Sequence, residues 1–126
     1  MELYIDFNSE EAIYTQMCNQ IIIGIAQNKI NEGDPLPSVR KMADDIGINM
    51  HTVNKAYSIL KQEGFIKLDR RKGAVIAVSA DKVKVLNRMK KELAVVVARG
   101  ICNGVNRNDA HNLIDQLYDS FEKDLE

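Results

Sequence analysis

Leu36-Pro37-Ser38-Val39-Arg40-Lys41-Met42-Ala43-Asp44-Asp45-Ile46-Gly47-Ile48-Asn49-Met50-His51-Thr52-Val53-Asn54-Lys55-Ala56-Tyr57 is the stretch that decides how this chain folds. Ser38 is a good helix N-cap, because its hydroxyl can accept from a backbone N–H that the first turn leaves free. Val39, Met42, Ala43 and Ile46 then recur at helical spacing and give a short helix one apolar face. Gly47 can take the left-handed conformation that ends a helix. Ile48 alone separates it from Asn49, a second N-cap, after which Val53, Ala56, Tyr57 and Leu60 line the next helix until Gly64 stops it. Two helices joined by so short a glycine-containing turn form a helix-turn-helix.

Working outward, Ile13, Met17, Ile21 and Ile25 stripe a preceding helix over residues 12–28, which Asn31-Glu32-Gly33-Asp34-Pro35 breaks. On the other side, Phe65 to Leu68 and Ala74 to Val78 read as two short strands, and Asp69-Arg70-Arg71-Lys72-Gly73 between them makes the basic tip of a hairpin, a wing. Past Ala80 the pattern becomes helical again. Leu86, Met89, Leu93 and Val96 stripe a helix over residues 81–99, and Gly100 to Val105 is expected to interrupt it. Asn106 or Asn108 then caps a last helix with Leu113, Ile114, Leu117, Tyr118 and Phe121 on one wide face. The fold class is therefore mostly α, an α+β winged helix-turn-helix over residues 1–80, with a C-terminal helical hairpin over residues 81–126.

Composition narrows the function. The 126 residues carry a net charge of -1, yet residues 37–80 hold eight bases and four acids, whereas residues 1–36 hold one lysine and six acids. A local basic excess in an otherwise acidic chain suits a face that binds a polyanion. No apolar run is longer than the six residues of Ile21 to Ala26, far below the roughly 20 residues of a membrane span. The first six residues lack a secretory start, and Cys18 and Cys102 make no paired motif, so the chain is expected in the cytoplasm with both thiols free. No metal-ligand spacing, phosphate loop or nucleophile signature occurs, so neither an enzyme nor a cofactor is expected.

The quoted stretch, with Leu60-Lys61-Gln62-Glu63-Gly64-Phe65-Ile66 after it and Ile13-Tyr14-Thr15-Gln16 and Gly33-Asp34-Pro35 before it, resembles the GntR family of bacterial transcription regulators over residues 12–78. Asn49 to Tyr57 and the short two-helix tail resemble the YtrA-type subfamily in particular; larger GntR subfamilies carry a sizeable effector-binding domain, which the 46 residues after Ala80 cannot supply. The resemblance implies a DNA-binding regulator, a repressor, acting as a homodimer on a palindromic operator. Arg40 matches an arginine that the family uses on DNA. Many relatives have arginines where this chain has Met50 and Asn54, so their operators do not transfer.

The physics of the residues points the same way. A helix about 10 Å across fits the major groove, where base edges are distinguishable. Asn49, His51, Thr52 and Asn54 lie off the apolar stripe at the start of the third helix and can hydrogen-bond, Asn54 being best suited to adenine, while Met50 offers apolar contact to a thymine methyl. Ser38 and the helix start behind it offer N–H groups to phosphate, and Lys41, Lys55, Arg70, Arg71 and Lys72, with Gly73 closing the wing tip, supply backbone contacts. A solvated charged face is the plain alternative for these bases. The competing class is a winged-helix protein-interaction module without sequence-specific DNA binding, which heparin retention and a salt-sensitive mobility shift separate from a DNA reader.

The tail is expected to dimerise the chain. Leu86, Met89, Leu93 and Val96 on one helix and Leu113, Leu117 and Phe121 on the other make two apolar surfaces that two helices cannot enclose alone. A small-molecule effector, of unknown identity, would bind near Ser79 to Lys84.

Overall fold

The structure is a computed structural model that describes residues 1–122. Its elements run α1 (Ile13–Ala26), α2 (Val39–Ile46), α3 (Met50–Gln62), β1 (Ile66–Asp69), β2 (Gly73–Ile76), α4 (Lys82–Cys102) and α5 (Arg107–Glu122). They fall into two units, one of residues 1–79 and one from Ala80 onward.

In the first unit the central turn forms as its residues dictate. Ser38 Oγ accepts from the Lys41 N–H at 3.1 Å, and Asn49 Oδ1 accepts from the His51 N–H at 2.7 Å, so both caps are used. Gly47 has φ +81°, in the region where a side chain would strain the backbone. Its N–H and that of Ile48 both return to the Ala43 carbonyl, closing α2. α3 crosses α1 and α2 and seals the core with Val53, Ala56 and Leu60, which have no exposed surface, against Met17 and Ile21 of α1, equally enclosed. Cys18 joins this core, its thiol directed to the Ala56 carbonyl at 3.5 Å. Burial raises that thiol's pKa to about 11, with the Glu63 carboxylate adding to the effect.

β1 and β2 pair antiparallel, Ile66 opposite Ile76 and Asp69 opposite Gly73. The strands thus lie closer to the tip than the expected 65–68 and 74–78. Asp69 Oδ1 explains the shift: it accepts from the N–H groups of Arg71 and Lys72 at 2.8 and 3.0 Å, which organises a three-residue loop and extends the ladder to its edge. The same two bonds hold the Asp69 pKa below the usual carboxylate value, with Lys72 and Lys67 nearby adding to the effect.

Two features were not expected from sequence. Residues 33–36 run along the other edge of β2, with Leu36 N–H donating to the Ala74 carbonyl at 2.8 Å and Ile76 N–H to the Asp34 carbonyl at 2.9 Å. Pro35 pairs with Val75 at a position where the ladder asks nothing of its nitrogen, so proline fits. The N-terminal arm is held by two glutamines one turn apart on α1. Gln20 exchanges both its amide groups with the Tyr4 backbone at 2.9 and 2.7 Å, and buried Gln16 accepts from Asp6 N–H and donates to the Asp6 and Glu11 carbonyls. Leu3 and Ile5 are thereby laid on the core.

In the second unit Asp81 caps α4, accepting from the Lys84 N–H at 3.1 Å. The interruption expected over Gly100 to Val105 is present but starts later: α4 continues through Gly100 to Cys102, and the turn begins at Asn103. A glycine costs an exposed helix about 1 kcal/mol, too little to end one alone. Asn106 rather than Asn108 caps α5, and the exchange is reciprocal, with Asp109 N–H donating to Asn106 and Asn106 N–H to Asp109 at 2.8 and 3.2 Å. Neither α4 nor α5 contains a buried residue among those described.

Candidate nucleic-acid interface

α3 is sealed on one side and open on the other. Val53, Ala56, Tyr57 and Leu60 face the core, while Asn49, Met50, His51, Asn54 and Lys55 are exposed and Thr52 is half-buried. The four exposed residues at the helix start, Asn49, Met50, His51 and Asn54, line one shallow depression with Val39 of α2. The structure therefore brings together, at one helix end, four of the five residues that sequence singled out for base contact, Thr52 lying outside the depression. Asn49 Oδ1 is already engaged by the His51 N–H, so Asn49 positions the helix end.

α2 approaches from the side. Arg40 is exposed on its first turn, and the N–H groups at that turn have no intrahelical acceptor. The backbone entering α2 is fixed from within the core: the Tyr57 hydroxyl donates to the Pro37 carbonyl at 2.8 Å, and burial pushes the Tyr57 pKa up to about 12. A core tyrosine needs a partner for its hydroxyl, which is the one signal in the sequence that pointed to this bond. Tyr57 thus couples the packing of α3 to the placement of Ser38 and Arg40.

The cations divide by what they touch. Lys41 pairs with Asp45 one turn on, at 3.2 Å. The Lys55 ammonium lies 4.0 Å from the centre of the Tyr14 ring on α1. A phosphate contact by Lys55 has to compete with that cation–π contact, worth about 0.5–1 kcal/mol at an exposed site. Arg70, Arg71, Lys72 and Gly73 are all exposed at the wing tip, which Asp69 holds in shape. Sequence reasoning passed over Lys61 and Lys67. Both line a cavity of about 330 Å³ between α3 and the wing, together with Ser38, Asn54, Lys72 and Gly73.

The arrangement, a capped helix end with amide and imidazole groups, flanked by an arginine and a basic hairpin tip, has the form of a duplex reader. Comparison with known proteins agrees. Residues 13–76 match the bacterial regulatory proteins of the gntR family. The chain is 32% identical over 118 residues to the transcriptional repressor YtrA of Bacillus subtilis, covering 91% of each. Among solved structures, a protein named as a transcriptional antiterminator from Listeria monocytogenes superposes with a TM-score of 0.84 at 29% identity, over 96% of this chain and 92% of that one. YtrA from Sulfolobus acidocaldarius, a GntR-family transcription factor, gives a TM-score of 0.67 at 36% identity, over 79% of this chain and 97% of that one. The chain belongs to the gntR family of bacterial regulatory proteins, within it to the YtrA type, and is a DNA-binding transcription regulator rather than an enzyme.

Proposed function

We propose that the chain is a cytoplasmic homodimeric repressor that reads a palindromic operator and blocks access to a promoter, with residues 1–80 binding DNA and residues 81–126 joining the protomers. The observation that carries the reading is the open start of α3, where Met50, His51 and Asn54 stand uncovered on a helix whose other side is locked into the core. In the major groove Asn54 meets adenine, Met50 a thymine methyl, and His51 and Thr52 neighbouring acceptors or donors. Ser38, Arg40, Lys41, Asn49 and Lys55, with Arg70, Arg71, Lys72 and Gly73 of the wing, hold the strands on either side. The related YtrA of Bacillus subtilis is named a repressor, which supports the sign of regulation.

Two readers related by a two-fold axis contact half-sites about one DNA turn apart, hence a palindrome. The exposed faces of α4 and α5 support the pairing: Leu86, Met89, Leu93 and Val96, with Leu113 and Leu117, are each at least 39% exposed in the single chain. Phe121 is half-buried. Packing the two helices against those of a second protomer gives a four-helix arrangement that covers these faces.

The test begins by selecting an operator from random duplexes with the full chain. Arg40→Ala or Asn54→Ala then loses about 1–3 kcal/mol on that operator and relaxes base preference locally, whereas Lys72→Ala weakens all sequences alike and flattens the salt slope by about one. Unchanged affinities of Asn54→Ala for operator and random DNA would remove Asn54 from the reading face.

A further inference from the structure

The chain leaves the wing along a path that is held from both sides. Ile76 N–H donates to the Asp34 carbonyl at 2.9 Å, Ala77 N–H to the Phe65 carbonyl at 3.0 Å, Val78 N–H to the Glu32 carboxylate at 3.1 Å and Ser79 N–H to the Gly64 carbonyl at 2.8 Å. Successive N–H groups thus alternate between residues 32–34 and the segment just after α3, although β2 itself ends at Ile76. Glu32 does with its side chain what a neighbouring strand does with a carbonyl. Gly64, at φ +84°, leaves the room this path needs, because a Cβ there would stand 3.0 Å from that of Ser79. Asp81 already belongs to the tail: its carboxylate accepts from the Lys84 N–H and its carbonyl from the Val85 N–H, both at 3.1 Å. Between these two anchored stretches Ala80 is exposed and takes part in no hydrogen bond among the described residues.

We propose that residues 77–79 form a strap which, through Glu32 and Gly64, sets the spacing of half-sites that the protein accepts, with Ala80 as the joint. The inference rests on the homodimer reading a palindrome argued above and deepens it, since it names the residues that select among palindromes. The anchor of the strap directly follows Glu63, the residue that ends the reading helix, so the path to the tail is fixed to α3 as far as Ser79. The cap at Asp81 fixes it again on the side of α4. One intervening residue brings two soft dihedrals. Moving a half-site by one base pair displaces it by about 3.4 Å and turns it by about 35° around the duplex. Two dihedrals do not supply both adjustments, so a wrong spacing has to pull the strap from Glu32 and Gly64 or deform the DNA.

The experiment uses the full chain, its selected operator, and versions of that operator with one or two base pairs added or removed between the half-sites. The parent should bind each altered spacing about tenfold more weakly or worse. Two glycines inserted between Ala80 and Asp81 add up to about 7 Å of reach per protomer. The insertion variant should bind all these spacings within about threefold of one another and keep the parent's affinity for a single half-site. Glu32→Ala, which removes the acceptor from Val78, should relax the discrimination about threefold, and Glu32→Gln, which keeps an acceptor oxygen there, should restore it. Full discrimination in the insertion variant, or equal binding of every spacing by the parent, overturns the assignment while selection of a palindrome leaves the function standing. A half-site affinity that falls as far as the operator affinity would place the strap's role inside the reading unit and overturn it too. A parent that selects only single half-sites overturns both the paired reading and this role of the strap.

Discussion

The two units of this chain were built from similar apolar fractions and use them in opposite ways. Residues 1–79 turn their apolar side chains inward, leaving Met17, Ile21, Val53, Ala56 and Leu60 with no exposed surface. The tail turns its own outward: Val83, Val96, Ile101 and Leu113 are each more than half exposed. The difference teaches that the first unit contains the partner for its own stripe, because α3 supplies the surface that α1 and α2 need. Within their own unit α4 and α5 have no third element, and the proposed pairing with a second protomer would supply one. The first unit's core is intramolecular, whereas under the proposed pairing the tail's stability depends on association and concentration.

The strongest way to break this contrast is to place a charge in the tail's seam. Leu93→Asp puts an unpaired carboxylate where the proposed pairing is apolar, which costs several kcal/mol. Dimer affinity by sedimentation should fall about 100-fold or more, with the denaturation of residues 1–79 little changed. A dimer as tight as the parent would move the interface elsewhere. Next in size is a matched pair of truncations. Leu60→Ala in the sealed core should cost about 2–5 kcal/mol of unfolding free energy at any protein concentration. Leu86→Ala, 53% exposed in the single chain, should lower stability only under conditions where the parent is dimeric. Urea titrations at two concentrations separate the two behaviours.

The smallest effect sharpens the account of the core. Tyr57 titrates at about 12 when folded and near 10 when unfolded, because burial disfavours its anion. The neutral form is the folded one, so its contribution is complete below pH 10 and is lost as pH rises towards 12. Cys18, raised to about 11 from 9, adds a loss of the same sign starting one pH unit lower. Tyr57→Phe removes the hydroxyl bonded to Pro37, costing about 1 kcal/mol at neutral pH. It should also show a shallower alkaline decline in thermal stability between pH 10 and 12 than the parent.

How much of this was legible depended on the range of the interaction. Ser38, Asn49 and Gly47 act within four residues, so chain order alone carried the turn, and with it the position of the reading helix. The apolar stripes of α1, α3 and the tail were equally plain. The glutamine clamps were not, since nothing local distinguishes Gln16 and Gln20 from solvent-facing amides; only the return of residues 4–6 gives them partners. The edge pairing of residues 33–36 was hidden by Pro35, which reads as a breaker. Lys55 illustrates the same gap in the candidate site, because its ring partner Tyr14 lies 41 residues earlier and on another helix. Lys61 and Lys67 look like ordinary surface lysines until the wing folds against α3.

The division of labour between the units is tested most directly by ending the chain at Ala80 and measuring its sedimentation beside its affinity for the full operator and for one half-site. The first unit has a complete core, so the shortened chain should fold, with the helical signal and cooperative melting of a packed domain. It should sediment as a monomer and bind a single half-site weakly, without preference for the palindrome. A shortened chain that remains dimeric and keeps full operator affinity would place the interface within residues 1–79 and contradict the account.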